Sequence, residues 1–338
     1  MRTARARRVT SPFRRPAVLW LCIVLALVLL VIVSLAIGSV SLAPGDVVRA
    51  LAGRGDDVAI TIVRGLRLPR VVLALLVGCA LGSSGAALQG TLRNALAEPY
   101  LLGVSGGAAG GAVLAMIVGA ADAGVTSAAA FCGAIVAVLL VLALARAAGG
   151  ARDARTLLMA GVVIGAFFNA LILILLTDAS PDRVRGALWW IAGSVSDASW
   201  PRVIWLLVYV VLGMVLLVGR GRLLDVLAIG DESAAALGVN VGRATQQIFL
   251  ICALLAAASV AAAGLVGFVG LVVPNIARAF GVVRHRALIV TSALTGAALV
   301  IGADLIARTV RAPVELPLGA ITALVGVPVF LLRLRRIR

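Results

Sequence analysis

Apolar runs about as long as a bilayer is thick recur along this chain, and little besides a helical membrane protein can accommodate them. A helix crossing the hydrocarbon needs about 20 predominantly apolar residues. Ten segments reach or approach that length: 17–40, 70–90, 100–119, 123–146, 156–177, 203–219, 243–264, 268–283, 287–308 and 317–334. In lipid the backbone has to satisfy its own hydrogen bonds, which a helix does within one segment. Of the 338 residues, 62% are hydrophobic and 13% charged, whereas a soluble domain is nearer half apolar and a quarter charged. The expected fold is an all-α integral membrane protein of about ten transmembrane helices. It divides into an arginine-rich tail over 1–16 and one transmembrane domain over 17–338.

The formal net charge is +16, and all 30 basic residues are arginine. Such a balance can signal nucleic acid, but in a chain of spans the positive-inside rule accounts for it, and no nucleic-acid partner is expected. Starting inside and alternating puts 20 arginines on the starting side and 10 on the other. This predicts a multi-pass protein of the cell membrane with both termini cytoplasmic. The first run resembles a signal peptide, six arginines followed by an apolar stretch. Its length of about 24 residues exceeds the 7–15 of an h-region, however, and predicts an uncleaved first helix.

Several chemistries find no support. Cys22, Cys79, Cys132 and Cys252 lie in apolar runs without a CxxC spacing; buried free thiols are expected, with no metal site, disulfide or cofactor. Gly103–Gly107 fits G-x-S-x-G around Ser105, but a serine nucleophile needs a base. The sole histidine, His285, sits in a short cytoplasmic turn between Arg284 and Arg286, whereas Ser105 falls near the start of the third span, so no catalytic residue and no intramembrane protease is expected. An ion-coupled secondary transporter places acids or histidines at membrane depth as relays, where a charge costs about 2.5–3.5 kcal/mol. Here Asp304 alone among the aspartates falls within a span. The chain has no lysine and hence no Walker A loop. If ATP drives it, the ATPase is another chain.

Four stretches carry the functional reading. Gly264, Gly267 and Gly270 are spaced three apart and precede Pro274 and Asn275. Glycine tolerates strained backbone and proline removes a helix donor. A broken segment at membrane depth, as in a transport route, and a small-residue packing face both fit. Arg67-Leu-Pro-Arg70 precedes the second span, with Pro69 stiffening a turn, and Arg308 follows Asp304 by one helical turn. Headgroup anchorage and an i,i+4 ion pair compete here with a cationic docking surface for an acidic partner. Between the sixth and seventh spans, 223–230 and 232–238 read as two short helices, with Asp231 as N-cap and Gly238 as C-terminal stop; this is either a surface loop or a docking platform. Trp189, Trp190 and Trp200 fit an interfacial aromatic belt. Gln89, Asn94 and Glu98 are expected to cap helix ends or bind a neighbouring loop, and Glu315 to cap the last span or pair with Arg308 or Arg311.

Together these stretches resemble FecCD-type permeases, the membrane subunits of ABC importers for ferric siderophores, haem and cobalamin. The similarity runs through Arg67-Leu-Pro-Arg70, the glycine-rich block from Leu81 to Gly107, Trp190 with Gly193-Ser194, Ala234 to Gly238, Gly264 with Phe268-Val-Gly-Leu271, Pro274 and Arg278, then Ala303-Asp304 with Arg308, Glu315-Leu-Pro-Leu-Gly319 and Gly326-Val-Pro-Val-Phe330. Two departures are Asn275 in place of a usual histidine and Ala95 in place of a usual proline. The resemblance implies the type II ABC importer permease fold and carriage of a ferric siderophore, with haem or cobalamin as alternatives. It also implies a second permease subunit, identical or related, two cytoplasmic ATP-binding subunits and an extracytoplasmic substrate-binding protein. On it, Arg67, Arg70 and Arg308 dock the binding protein. Asp231, Glu232, Ala234, Leu237 and Gly238 face the ATPase. Gly264, Gly267, Gly270, Pro274, Asn275 and Trp190 form the pathway and its gate.

Overall fold

The computed structural model describes residues 16–38, 42–120, 122–150 and 153–334; residues 1–15 of the arginine-rich tail, Arg152 and the last four residues lie outside that set. The described residues form α-helices and no strand. In order they are α1 (Pro16–Ala36), α2 (Pro44–Leu51), α3 (Asp57–Ile60), α4 (Leu68–Thr91), α5 (Val104–Ile117), α6 (Ala123–Ala147), α7 (Ala154–Thr177), α8 (Pro181–Ile191), α9 (Trp200–Gly219), α10 (Gly221–Leu227), α11 (Asp231–Ala236), α12 (Val241–Ala263), α13 (Val269–Ala279), α14 (His285–Thr309) and α15 (Leu318–Leu334). A π-helical segment, Thr61–Arg67, joins α3 to α4, and a 3₁₀ turn, Pro99–Leu102, precedes α5.

Each of the ten apolar segments holds a helix. Among the described residues seven helices are long and apolar enough to cross a membrane, while Val104–Ile117, Val269–Ala279 and Leu318–Leu331 are shorter. At 1.5 Å per residue α13 is only about 16 Å long, roughly half a bilayer core. The second span starts earlier than its hydropathy suggests. Arg67-Leu-Pro-Arg70 therefore lies inside a continuous helical run, not in a turn. Pro69 is tolerated there because the pairing changes register: the Leu68 N–H reaches back to the Val63 carbonyl, five residues away, so the donor that proline lacks falls at a switch point.

The core is built around α4, almost all of which is buried and which packs on α14, α12, α13 and α9. Lipid tails offer no hydrophobic gain on helix association, so close packing has to supply the attraction. Small residues permit it: a Cβ on Gly82 would sit 2.2 Å from the Ser292 carbonyl oxygen, and one on Gly78 2.3 Å from that of Gly296. α1 keeps most of its apolar surface exposed at the edge of the bundle, as a lipid-facing helix does. The thiols divide: Cys252 is buried, but Cys22 on α1 and Cys132 on α6 are exposed, because those faces point away from the core. α2, α8 and the 310–317 loop share one end of the bundle with the start of α4; α10 and α11 lie at the other.

Candidate functional site

The glycine-rich stretch is broken. α12 stops at Ala263, and Gly264 (φ +68°) and Phe268 (φ +67°) bound the gap before α13 begins. Gly264 has to be glycine twice over, since a Cβ would also lie 2.3 Å from the Trp190 carbonyl oxygen. For Phe268 a left-handed backbone costs on the order of 1–3 kcal/mol and needs outside support. Two side chains from the segment before α5 provide it. The Phe268 N–H donates to Glu98 Oε1 at 2.8 Å, and the Val266 N–H donates to the Tyr100 hydroxyl at 2.9 Å. On the other side of the gap, the Ala263 carbonyl accepts from the Ser194 N–H at 2.9 Å. The backbone groups freed by the break thus find partners within protein, the condition for irregular chain at membrane depth.

The packing reading holds one turn later. A Cβ on Gly270 would meet Pro99 at 2.6 Å, whereas one on Gly267 would have no non-neighbouring atom within 4 Å. Pro274 does not interrupt the helix; α13 continues through it. Its missing N–H leaves the Gly270 carbonyl without the usual donor, and Gln89 Nε2 fills the place at 3.2 Å while also donating to Leu271 O at 3.1 Å. Gln89 Oε1 in turn accepts from Arg278. Asn275 is buried and donates to Ala95 O (3.1 Å) and Leu271 O (2.8 Å). It is a tie between α13 and the α4–α5 loop.

The three arginines form no open cationic surface. Arg67 and Arg308 are buried and cap α1: Arg67 Nη1 donates to the carbonyls of Leu35 (2.7 Å) and Ala36 (2.9 Å), and Arg308 Nη2 to that of Ser34 (2.6 Å). The last carbonyls of a helix lack internal donors, and positive charge suits that end of the dipole. Arg70 forks between two acids, reaching Asp304 Oδ1 at 2.8 Å and Glu315 Oε1 at 2.6 Å. Asp304 stands 3.7 Å from Arg308, so its main partner is Arg70. Glu315 pairs with Arg70, neither with Arg308 nor with Arg311. Local spacing favours i,i+4 pairs; this triad joins residues more than 230 apart in sequence, which spacing cannot reveal.

A cavity of about 330 Å³ lies beside the break, bounded by Trp189, Trp190, Asp197, Arg202, Gly264 and Glu315. Trp190 and the break are strapped to α15 as well, since Gly193 O and Ala192 O accept from the N–H groups of Leu318 and Gly319, both at 3.0 Å.

At the opposite end α10 and α11 are the two expected short helices. Asp231, Glu232 and Leu237 are exposed, Ala234 is buried beneath them, and Gly238 (φ +82°) ends the turn. Asp231 is not the N-cap. That position is Gly230, and Asp231 pairs with Arg93 at 2.9 Å. Sequence reasoning missed two groups here. Asp225 and His285 are bonded at 2.8 Å; the only signal available was that the lone histidine opens a helix. Tyr100 is the other omission; Glu98, expected to cap a helix end or bind a neighbouring loop, binds the loop of the break. Their placement beside a glycine-rich loop offered no clue to which backbone they would hold.

Replacing Glu98 with alanine removes the acceptor of the Phe268 N–H, and the buried donor left unmet should lower stability by about 1–3 kcal/mol. Glu98→Gln keeps an acceptor oxygen and should retain most of it. Thermal unfolding of the purified variants in detergent checks this; equal losses would mean that the bond is not what holds the break.

A family model for the FecCD transport family matches residues 26–336. The chain is 41% identical to the ABC transporter permease protein YvrB of Bacillus subtilis over 291 residues, which is 84% of this chain and 81% of that protein. It is 40% identical to the cobalamin import system permease protein BtuC of Halobacterium salinarum, over 82% of this chain and 74% of that one. A solved structure of a metal-chelate type ABC transporter in an inward-facing conformation superposes with a TM-score of 0.85 at 27% identity, covering 95% of this chain and all of the other. Sequence and fold agree along nearly the whole length, and the chain belongs to the FecCD transport family as the multi-pass membrane permease subunit of an ABC importer.

Proposed function

We propose that this permease carries a ferric siderophore inward, received from an extracytoplasmic binding protein and released by the ATPase cycle of a separate subunit. The observation that carries the cargo class is the match to a metal-chelate transporter over nearly the full chain. Relatives named for iron(3+)-hydroxamate, hemin and vitamin B12 import match as well, so haem and cobalamin are the competing cargoes. The arginine excess supports an orientation with both termini, α10 and α11 in the cytoplasm. The ATPase would then dock on the exposed Asp231, Glu232 and Leu237, and the binding protein on the end carrying α2 and α8. There Arg67, Arg70 and Arg308, whose guanidinium groups bond inward, would shape the docking face from beneath. The break at 264–268, with Trp190 and its cavity, is the proposed gate, and two permeases side by side would enclose the route.

The test is uptake into liposomes holding the permease with its ATPase and binding protein. A ferric hydroxamate should accumulate only with ATP, sensitive to vanadate, and should outcompete haem and cobalamin. Preferential import of either competitor would refute the cargo; accumulation by the permease alone under an ion gradient would refute the mechanism.

A further inference from the structure

The lone histidine occupies an unusual junction. α14 begins at His285 with no side-chain cap from its own N-cap residue, Arg284. The cap comes instead from another helix: Asp225 Oδ1, on α10, accepts from the His285 backbone N–H at 2.9 Å and faces its ring Nδ1 at 2.8 Å. A carboxylate at that position requires the proton on Nδ1. The far edge of the ring then faces α4, where a Cβ on Gly90 would lie 2.4 Å from Nε2. His285 is buried, so the ring is a wedge with α10 on one side and α4 on the other.

What it touches matters. Gly90 adjoins Gln89, which bonds Gly270 and Leu271 of α13 across the gap left by Pro274. α11 is tied to the same end of α4 through Asp231 and Arg93. The α10–α11 pair therefore meets the end of α4 at two points: through the His285 ring against Gly90, one residue from Gln89, and through Asp231 with Arg93, two residues past the last residue of α4. Packed interiors transmit displacement with little compression, and α13 leads back to the break, where the left-handed Phe268 is held by Glu98.

We infer that His285 is a positioning residue that couples movement of α10–α11 to α4 and α13, so that work done at the ATPase surface reaches the break. This rests on the proposed ATP-driven function. A residue that only caps α14 would, when replaced, lower assembly, hydrolysis and uptake together. A coupling residue separates them.

The experiment uses the full complex in liposomes, measuring uptake of a ferric hydroxamate and ATP hydrolysis on the same samples. His285→Ala should cut uptake about tenfold, within the usual range of coupling free energies, with hydrolysis within about twofold of wild type. His285→Asn, whose amide N–H takes the Nδ1 position, should bring uptake back to within about threefold. Asp225→Ala, which removes the same bond from the side of α10, should reproduce the split if His285→Ala fails to accumulate. Parallel loss of uptake and hydrolysis, no loss of either, or no rescue by asparagine would overturn the inference while leaving the functional reading intact. A wild-type complex without ATP-dependent uptake would overturn that reading first.

Discussion

Arg70→Ala will destabilise the protein by about 3–5 kcal/mol, the usual cost of stripping one partner from a buried ion pair. Asp304 is 2% exposed, and its other cation, Arg308, stands 3.7 Å away with two of its bonds committed to Ser34. Without Arg70 the carboxylate is left in an apolar bundle with little to offset its desolvation. Glu315, 38% exposed, can turn to solvent and contributes less. The double variant Arg70→Met with Asp304→Leu should recover much of the loss, because removing both charges removes the desolvation cost as well. Thermal unfolding in detergent of the wild type, Arg70→Met, Asp304→Leu and the double variant measures this. A coupling near zero would show that the triad is a surface feature, and would restore an outward role for Arg70.

The second large effect is steric. A Cβ at Gly85 would lie 2.0 Å from the Gly270 carbonyl oxygen and 2.6 Å from its Cα, both backbone atoms of α13 that no rotamer change can move. Gly85→Val should therefore cost about 3 kcal/mol or more, at or beyond the upper range for overpacking, and should reduce the yield of folded permease. Gly267→Ala is the control. It lies three residues from Gly270 in the same glycine-rich stretch, where an added Cβ meets nothing within 4 Å, and is expected to stay within about 0.5 kcal/mol of wild type. Fluorescence-detected yield and melting temperature compare them directly. Equal behaviour of the two would mean that α4 and α13 are not in close contact.

The three glycines at 264, 267 and 270 show where sequence reading stops. Their spacing identified a segment that either breaks or packs, and both descriptions hold at different residues: Gly264 breaks, Gly270 packs, and Gly267 does neither. A glycine looks the same in one dimension whether it relieves strain, admits a neighbour or sits in open space. Pro274 misled for a related reason. Its lost hydrogen bond is a local fact, but whether the helix ends there depends on a donor from elsewhere, and Gln89 supplies it from a position 185 residues away.

The ten apolar helices and the two short helices at 221–236 were legible in order along the chain, because hydropathy and turn signals act over a few residues. The family was legible too, since its motifs are long and keep their order. The fate of the charges was not. Arg67 and Arg308 read as surface cations, yet they close the end of α1; Glu315 and Asp304, eleven residues apart, share one guanidinium; and Asp225 caps a helix that starts 60 residues later. In a low-dielectric bundle a charge goes to whichever partner lowers its desolvation cost, and folding alone determines which groups arrive within 3 Å.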